Sequence, residues 1–106
     1  MLKKTTTDAQ KILAQMTGKS KTRQRQFEEE LANREVASKI YQLRERANLS
    51  QAELARRVGT TQSVISRLED ADYDGHSLAM LNRIAAAVER RVEIRFVPRK
   101  RQLQTV

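Results

Sequence analysis

The amino-acid sequence predicts a mainly α-helical fold, with about five helices and a single β-strand near the C-terminal end. The chain has 106 residues, which suits one domain, and its two Tyr, two Phe and absent Trp leave Leu, Ile, Val and Ala to form the core. That composition favours packed helices over a sandwich or barrel. Apolar residues recur at helical spacing over most of the chain, whereas residues 92–97 alternate apolar and charged side chains.

The first part of the chain predicts a short helix over residues 8–16 and a longer helix that ends near Ala47. The polar and basic residues 19–26 between them fit either a linker or a frayed helix. The short helix places four apolar side chains on one face: Ala9, Ile12, Leu13 and Met16. In the longer helix Leu31 and Val36 belong to different apolar stripes, so a joint or rotation is expected near Asn33.

The next segment meets the steric demands of two helices that cross at a steep angle. Ser50 and Glu53 have the spacing of a capping box, which begins the first of these helices. Ala55 is the small side chain that such a crossing requires, and Gly59 tolerates the positive φ of a tight turn. Thr60 or Thr61 then caps the second helix.

The two helices have distinct inner and outer faces. Four apolar side chains are expected to point inward: Leu54, Val58, Ile65 and Leu68. The outer face of the second helix then carries four polar side chains: Gln62, Ser63, Ser66 and Arg67. A polar outer face is common on helical hairpins of any function, but its combination with the cap, the small residue and the glycine favours a helix-turn-helix.

A last helix and a strand complete the chain. Ser77 is expected to cap this helix, which carries core residues Leu78, Leu81, Ile84, Ala85 and Val88. The strand over residues 92–97 has no second strand in the sequence to pair with, and an unpaired strand is unstable. We therefore expect it to pair with the same strand of a second copy, with Val92, Ile94 and Phe96 covering the helices below.

The net charge of +8 favours a polyanionic partner, and the charge is concentrated at the two ends of the chain. Residues 1–34, a basic N-terminal extension, hold eight Lys or Arg against four Asp or Glu. Residues 35–91, the expected DNA-binding domain, are nearly neutral with nine against eight. Residues 92–106, the strand and tail, hold four against one. Solvated basic tails are the alternative interpretation of both ends.

The run Gln51-Ala52-Glu53-Leu54-Ala55, followed by Val58-Gly59-Thr60-Thr61-Gln62, resembles the helix-turn-helix of lambdoid phage repressors and the wider XRE group. The resemblance covers about residues 36–90 and implies a lambda-repressor-like domain whose second helix lies in the major groove of double-stranded DNA. It implies that Gln62 is the leading base reader, joined by Ser63, Ser66 and Arg67. Phosphate contacts are implied for Gln51, which would also brace Gln62, and for Thr61 and Arg44.

The stretch from Ile65-Ser66-Arg67-Leu68-Glu69 through Ile84-Ala85 into Val92-Glu93-Ile94-Arg95-Phe96 is similar to HigA-type antitoxins, in which a strand follows four core helices. This resemblance implies a homodimer that represses its own operon at a palindromic operator. It also implies that residues 1–34 bind a small toxin similar to RelE and HigB. A stand-alone XRE regulator without a toxin partner is the alternative.

Other classes of function lack the residues that they require. Cysteine is absent, no glycine-rich phosphate loop occurs, and no nucleophile and base assemble around His76, so we expect neither an enzyme nor a cofactor. The run 70–75 is similar to half of a calcium loop, but the twelfth position is Leu81, so no metal is expected. Without a membrane-spanning run or a signal-peptide core at the start, we expect the bacterial cytoplasm, or the nucleoid when bound to DNA.

Overall fold

A computed structural model describes residues 2–99 and confirms a mainly helical fold. Four α-helices follow one another along the chain: α1 (Leu2–Arg46), α2 (Gln51–Val58), α3 (Gln62–Leu68) and α4 (Leu78–Ala87). Within this part of the chain no helix combines the length and the apolar composition that crossing a membrane requires. The helix count is lower than the sequence predicted because the first two predicted helices are one.

α1 is a continuous helix of 45 residues, so residues 19–26 are helical rather than a linker, and the predicted joint near Asn33 is wrong. The segment contains no proline, and Gly18 alone costs a helix only about 1 kcal/mol. The helix therefore continues through the change in apolar spacing. The five residues from Leu31 to Val36 turn an α-helix by about 140°, which places the two apolar stripes on different sides of α1.

The hydrophobic core is formed by the end of α1, the three short helices and Leu49 in the connection between α1 and α2. Its buried residues are Ala37, Ile40, Leu49, Leu54, Ala55, Val58, Ile65, Leu68, Ile84 and Ala85. The predicted inward positions of α2 and α3 are thereby confirmed. Of the core residues predicted in and after α4, Ile84 and Ala85 are buried, and Leu81 and Val88 are partly buried against the core. Leu78, in the first turn of α4, is the exception because it remains 52% exposed.

Side-chain caps begin each of the three short helices, as the sequence predicted. The Ser50 hydroxyl accepts a hydrogen bond from the Glu53 amide at 3.0 Å, and the Glu53 carboxylate accepts one from the Ser50 amide at 3.0 Å. Thr61 caps α3 by accepting from the Val64 amide at 3.3 Å. Ser77 caps α4 in the same way. These caps satisfy amides that the first turn of a helix leaves unpaired.

The capping box makes the stability of α2 depend on pH. The hydrogen bonds from the Ser50 amide and hydroxyl lower the pKa of Glu53 below its ordinary value of 4.5, and the charges of Arg56 and Arg57 act in the same direction. Because the folded state has the lower pKa, the stabilisation is complete above the ordinary value and is lost as pH falls through the folded value. The melting temperature of Glu53→Ala is therefore expected to lie below that of the wild type near neutral pH and to approach it in acid. A difference that does not change with pH contradicts this account.

The C-terminal segment departs from the prediction. Residues 2–99 contain no β-strand, so the strand expected over residues 92–97 is not seen, and Ile94 and Phe96 are 61% and 97% exposed rather than covering the helices. A strand is defined by hydrogen bonds to a neighbouring strand, and the described chain supplies no neighbour. Arg99 Nε donates to Glu28 Oε2 at 2.7 Å, which holds this segment beside α1. Residues 100–106 of the predicted tail lie outside the described residues.

Candidate nucleic-acid interface

The turn between α2 and α3 sets the angle at which α3 is presented. Gly59 adopts the left-handed conformation (φ 84°, ψ 39°), and its amide donates to the Ala55 carbonyl at 2.9 Å, which closes the last turn of α2. Arg83 of α4 also reaches this turn, where its Nη2 atom donates to the carbonyls of Val58 at 2.9 Å and Gly59 at 3.2 Å. The guanidinium therefore pairs with carbonyls that the end of α2 leaves free.

Gly59→Ala is expected to lower the free energy of unfolding by about 1–2 kcal/mol, because an L-residue with a Cβ is strained at positive φ. An added Cβ would also lie 3.4 Å from the Arg83 guanidinium. The matched control is Gly18→Ala in α1, where an added Cβ meets nothing within 4 Å. Alanine there should stabilise the helix by about 0.5–1 kcal/mol. Urea denaturation of the two variants checks the opposite signs.

α3 has the two faces that the sequence predicted. Ile65 and Leu68 are buried, at 0% and 4% exposure, and they anchor the helix on the core. The opposite face is exposed and carries Gln62, Ser63, Ser66 and Arg67. Within residues 2–99 Arg67 forms no salt bridge. Its positive charge is therefore exposed on this face together with the three polar side chains. The arrangement is a short polar helix face, supported from behind by apolar packing.

A partly buried ion pair joins α1 to the end of α3. Arg44 Nε donates to Glu69 Oε2 at 2.7 Å and Arg44 Nη2 donates to Glu69 Oε1 at 3.0 Å, which is the two-bond geometry preferred between arginine and carboxylate. Arg44 Nη1 donates to the Leu49 carbonyl at 2.9 Å. Gln51 Nε2, at the start of α2, donates to Glu69 Oε1 at 3.2 Å. One carboxylate therefore holds three helices in register.

The family model described as "Helix-turn-helix domain" matches residues 35–93, which is more than half of the chain. The chain belongs to this helix-turn-helix family. The match contains α2, the Gly59 turn and α3, and it agrees with the resemblance to XRE-type regulators. It leaves most of α1 outside, and neither a curated protein nor a solved structure matches the chain.

The helix-turn-helix brings the predicted phosphate-contact residues into two settings. Arg44 and Gln51 meet at Glu69, so the predicted brace between Gln51 and Gln62 is not formed in the structure. The Arg44 guanidinium is 11% exposed, and hydrogen bonding to Glu69 raises its pKa further above the ordinary value. Thr61, by contrast, is exposed at the start of α3. Both settings lie within the matched residues 35–93, but only Thr61 shares the exposed surface with the base-reading candidates.

Glu69 and Arg83, both within the matched residues 35–93, support the helix-turn-helix but were not singled out from the sequence. Each pairs with a group 24 or 25 residues away in the chain, and no spacing rule links positions so far apart. The available signal was weaker. Glu69 follows the last residue of α3, where the negative end of the helix dipole disfavours a carboxylate. A carboxylate at this position indicates a neighbouring cation.

The loop after α3 closes on itself and supports the helix-turn-helix. His76 Nε2 donates to the Leu68 carbonyl at 2.7 Å, and the imidazole packs edge-on against Tyr73 with ring centroids 5.0 Å apart. The Asp72 amide donates to the Asp70 carboxylate at 2.9 Å, which forms a local turn. Across residues 2–99, no three His, Cys, Asp or Glu side chains come together as a metal site.

Proposed function

We propose that the protein is a sequence-specific transcriptional repressor that binds a palindromic operator as a homodimer. The observation that supports this is the exposed polar face of α3, which is anchored by buried Ile65 and Leu68 and held at a set angle by the Gly59 turn. A helix with these properties fits the major groove, where base edges present distinct patterns of donors and acceptors. We place this activity in the bacterial cytoplasm and propose no catalytic role.

Each exposed side chain of α3 has a role that its chemistry suits. The Gln62 amide can donate to and accept from one adenine, and the Arg67 guanidinium can donate twice to one guanine. Ser63 and Ser66 have hydroxyls that donate to or accept from either base pair. Thr61 and Gln51 lie at the starts of α3 and α2, where we place phosphate contacts. Arg44 serves these contacts by fixing Glu69, which in turn holds Gln51.

The homodimer is proposed to form through residues 92–97, paired as antiparallel strands across a two-fold axis. Val92 is half-buried, whereas Ile94 and Phe96 are exposed. Pairing of the two strands would cover the Ile94 and Phe96 side chains and supply hydrogen-bond partners for the backbone amides of the segment. Such a dimer sets two α3 helices about one turn of DNA apart, on the order of 34 Å. Sedimentation at micromolar concentration should give a dimer, and Phe96→Ser should weaken it. A wild-type monomer would remove this part of the proposal.

The experiment that tests the function is selection of bound DNA from a random pool, which should return a palindrome. With that operator, Gln62→Ala is expected to cost about 1–3 kcal/mol of binding free energy and to relax preference at one base pair in each half-site. Gln42→Ala is the matched control, because Gln42 is exposed on α1 and bonds only to Ser38 within the described chain. Unchanged discrimination by Gln62→Ala across operator variants would refute the base-reading assignment.

A second candidate function is that of a HigA-type antitoxin that also binds a small toxin similar to RelE and HigB. It is favoured by the part of α1 that precedes the family match, where the described side chains from residue 9 to residue 34 are exposed or half-buried and available to a partner. Removing residues 1–34 should then abolish toxin binding and leave operator binding intact. A stand-alone regulator would show no toxin binding even before residues 1–34 are removed.

A further inference from the structure

The side chains described in residues 9–35 of α1 contribute nothing to the hydrophobic core. We call residues 9–35 the arm; every side chain described there is exposed or half-buried. Because α1 is a helix of 45 residues, the arm gives the molecule a longest dimension of 71 Å. A helix without a packing partner is only marginally stable in water, since most helical stability in proteins comes from tertiary packing. The arm therefore lacks a contact that its helical state requires.

The arm carries an apolar stripe flanked by charges. Phe27 and Leu31, one turn apart on the same face, are 64% and 41% exposed. Lys21 and Glu28 lie along one flank of this stripe, and seven residues separate them, so they occupy the same position around the helix. The other flank has the same arrangement with Arg23 and Glu30. Each flank therefore runs from positive to negative along the helix.

We propose that the arm pairs antiparallel with the arm of a second copy, as a short two-stranded coil centred between residues 25 and 26. In this register Arg23 faces Glu30 of the second copy along one flank, and Lys21 faces its Glu28 along the other. Each flank pair is offset along the helix by two residues, about 3 Å, from directly opposite positions. The two-fold axis repeats both pairs, so four opposite-charge contacts flank the stripe. The Glu28 carboxylate already accepts from Arg99, which makes the pair of Arg23 with Glu30 the cleaner one to test.

The same register also matches side-chain sizes across the two-fold axis. Phe27 lies opposite Gln24 of the second copy, and Leu31 lies opposite its Ser20, so each large apolar side chain meets a smaller one. A parallel, in-register pair is less favourable. It keeps Arg23 near Glu28 of the second copy but places Glu30 near Glu35, where two like charges repel. The charge pattern therefore selects the antiparallel arrangement.

The pairing places the two helix-turn-helix domains at opposite ends of the joined arms. Ile40, which is buried in the domain core, lies about 22 Å along the helix axis from the proposed centre. This contact uses different residues from the proposed strand pairing over residues 92–97, and neither contact uses the exposed face of α3. Each can therefore be removed by mutation without removing the other or the DNA-binding surface.

Distances between spin labels test the pairing in the full chain. The sequence has no cysteine, so single labels can be introduced at Gln26→Cys, beside the proposed centre, and at Lys11→Cys, far from it. Antiparallel arms place the two labels about 20 Å apart at position 26 and about 45–50 Å apart at position 11. A short distance at both positions overturns the antiparallel register. If the arms stay unpaired, as they would if the arm bound a toxin instead, the labels at position 26 give no short distance and the proposal is overturned.

Charge reversal gives the matched comparison. Glu30→Lys should remove the short distance at position 26, because it makes a lysine face Arg23 of the second copy. Glu29→Lys makes the same change in charge on the opposite side of the helix from Phe27, and it should leave the distance unchanged. The double variant Arg23→Glu with Glu30→Lys should restore it, and equal effects of Glu29→Lys and Glu30→Lys would overturn the proposal. Circular dichroism checks that each variant folds. Operator binding reports separately on the proposed function, and sedimentation of Phe96→Ser combined with Glu30→Lys, in which the arm contact is also removed, reports separately on the strand pairing.

Discussion

Glu69→Ala is expected to lower the free energy of unfolding by about 2–3 kcal/mol, because it removes both hydrogen bonds that the partly buried Arg44 guanidinium makes with its counter-charge. The two side chains are only 11% and 7% exposed, so water cannot replace the lost carboxylate. The change also removes the acceptor of the Gln51 amide. Contacts among α1, α2 and the end of α3 are therefore lost together, and operator affinity should fall with stability.

Urea denaturation measures this effect, and the chain contains a matched control. Arg99 and Glu28 pair through the same atoms at the same distance, 2.7 Å, but their side chains are 64% and 36% exposed. Glu28→Ala should therefore cost about 0–1 kcal/mol. The double variant Arg44→Met with Glu69→Leu should recover much of the stability that Glu69→Ala loses, since it leaves no buried charge. Equal costs for Glu69→Ala and Glu28→Ala would show that burial does not set the strength of the pair.

Ile65→Ala is expected to cost about 2–5 kcal/mol, because it opens a cavity at a side chain that is completely buried. Ile65 supports the back of α3, so the variant should bind the operator more weakly. Its preference among bases should not change, because Gln62 and Arg67 remain on the exposed face. The expected result is a loss of affinity for every operator variant in the same proportion.

Val64→Ala is the control for this prediction. Val64 precedes Ile65 on the same helix but is only half-buried, so the same type of truncation should cost less. Thermal unfolding ranks the two variants, and binding to a panel of operator variants separates affinity from specificity. If Ile65→Ala altered the preferred bases, Ile65 would contribute to recognition directly and the support role would be wrong.

The helix-turn-helix was predictable because its determinants are local. The capping box of Ser50 and Glu53, the small Ala55 and the left-handed Gly59 each act within a few residues, and each is found where the spacing predicts. The same holds for the inward positions of α2 and α3, since helical periodicity assigns a face without knowledge of the partner. The polar residues on the outer face of α3 follow from the same periodicity.

Periodicity was misleading in α1 and beyond α4. The change of apolar stripe between Leu31 and Val36 predicted a joint, but a change of stripe requires a break only if both stripes face one core. Here Leu31 remains 41% exposed while Ile40 is buried, so one continuous helix accommodates both stripes. The alternation over residues 92–97 predicted a strand, whose existence depends on a neighbour that the described chain does not contain.

Local sequence was sufficient for the caps, the turn, the two faces of α3 and the family to which they belong. The tertiary structure alone showed that Glu69 joins Arg44 to Gln51 and that Arg83 reaches the end of α2. The physical reason is the range of the interactions. Caps and turns depend on atoms a few residues apart, whereas these contacts join groups brought together only when the helices pack on one core.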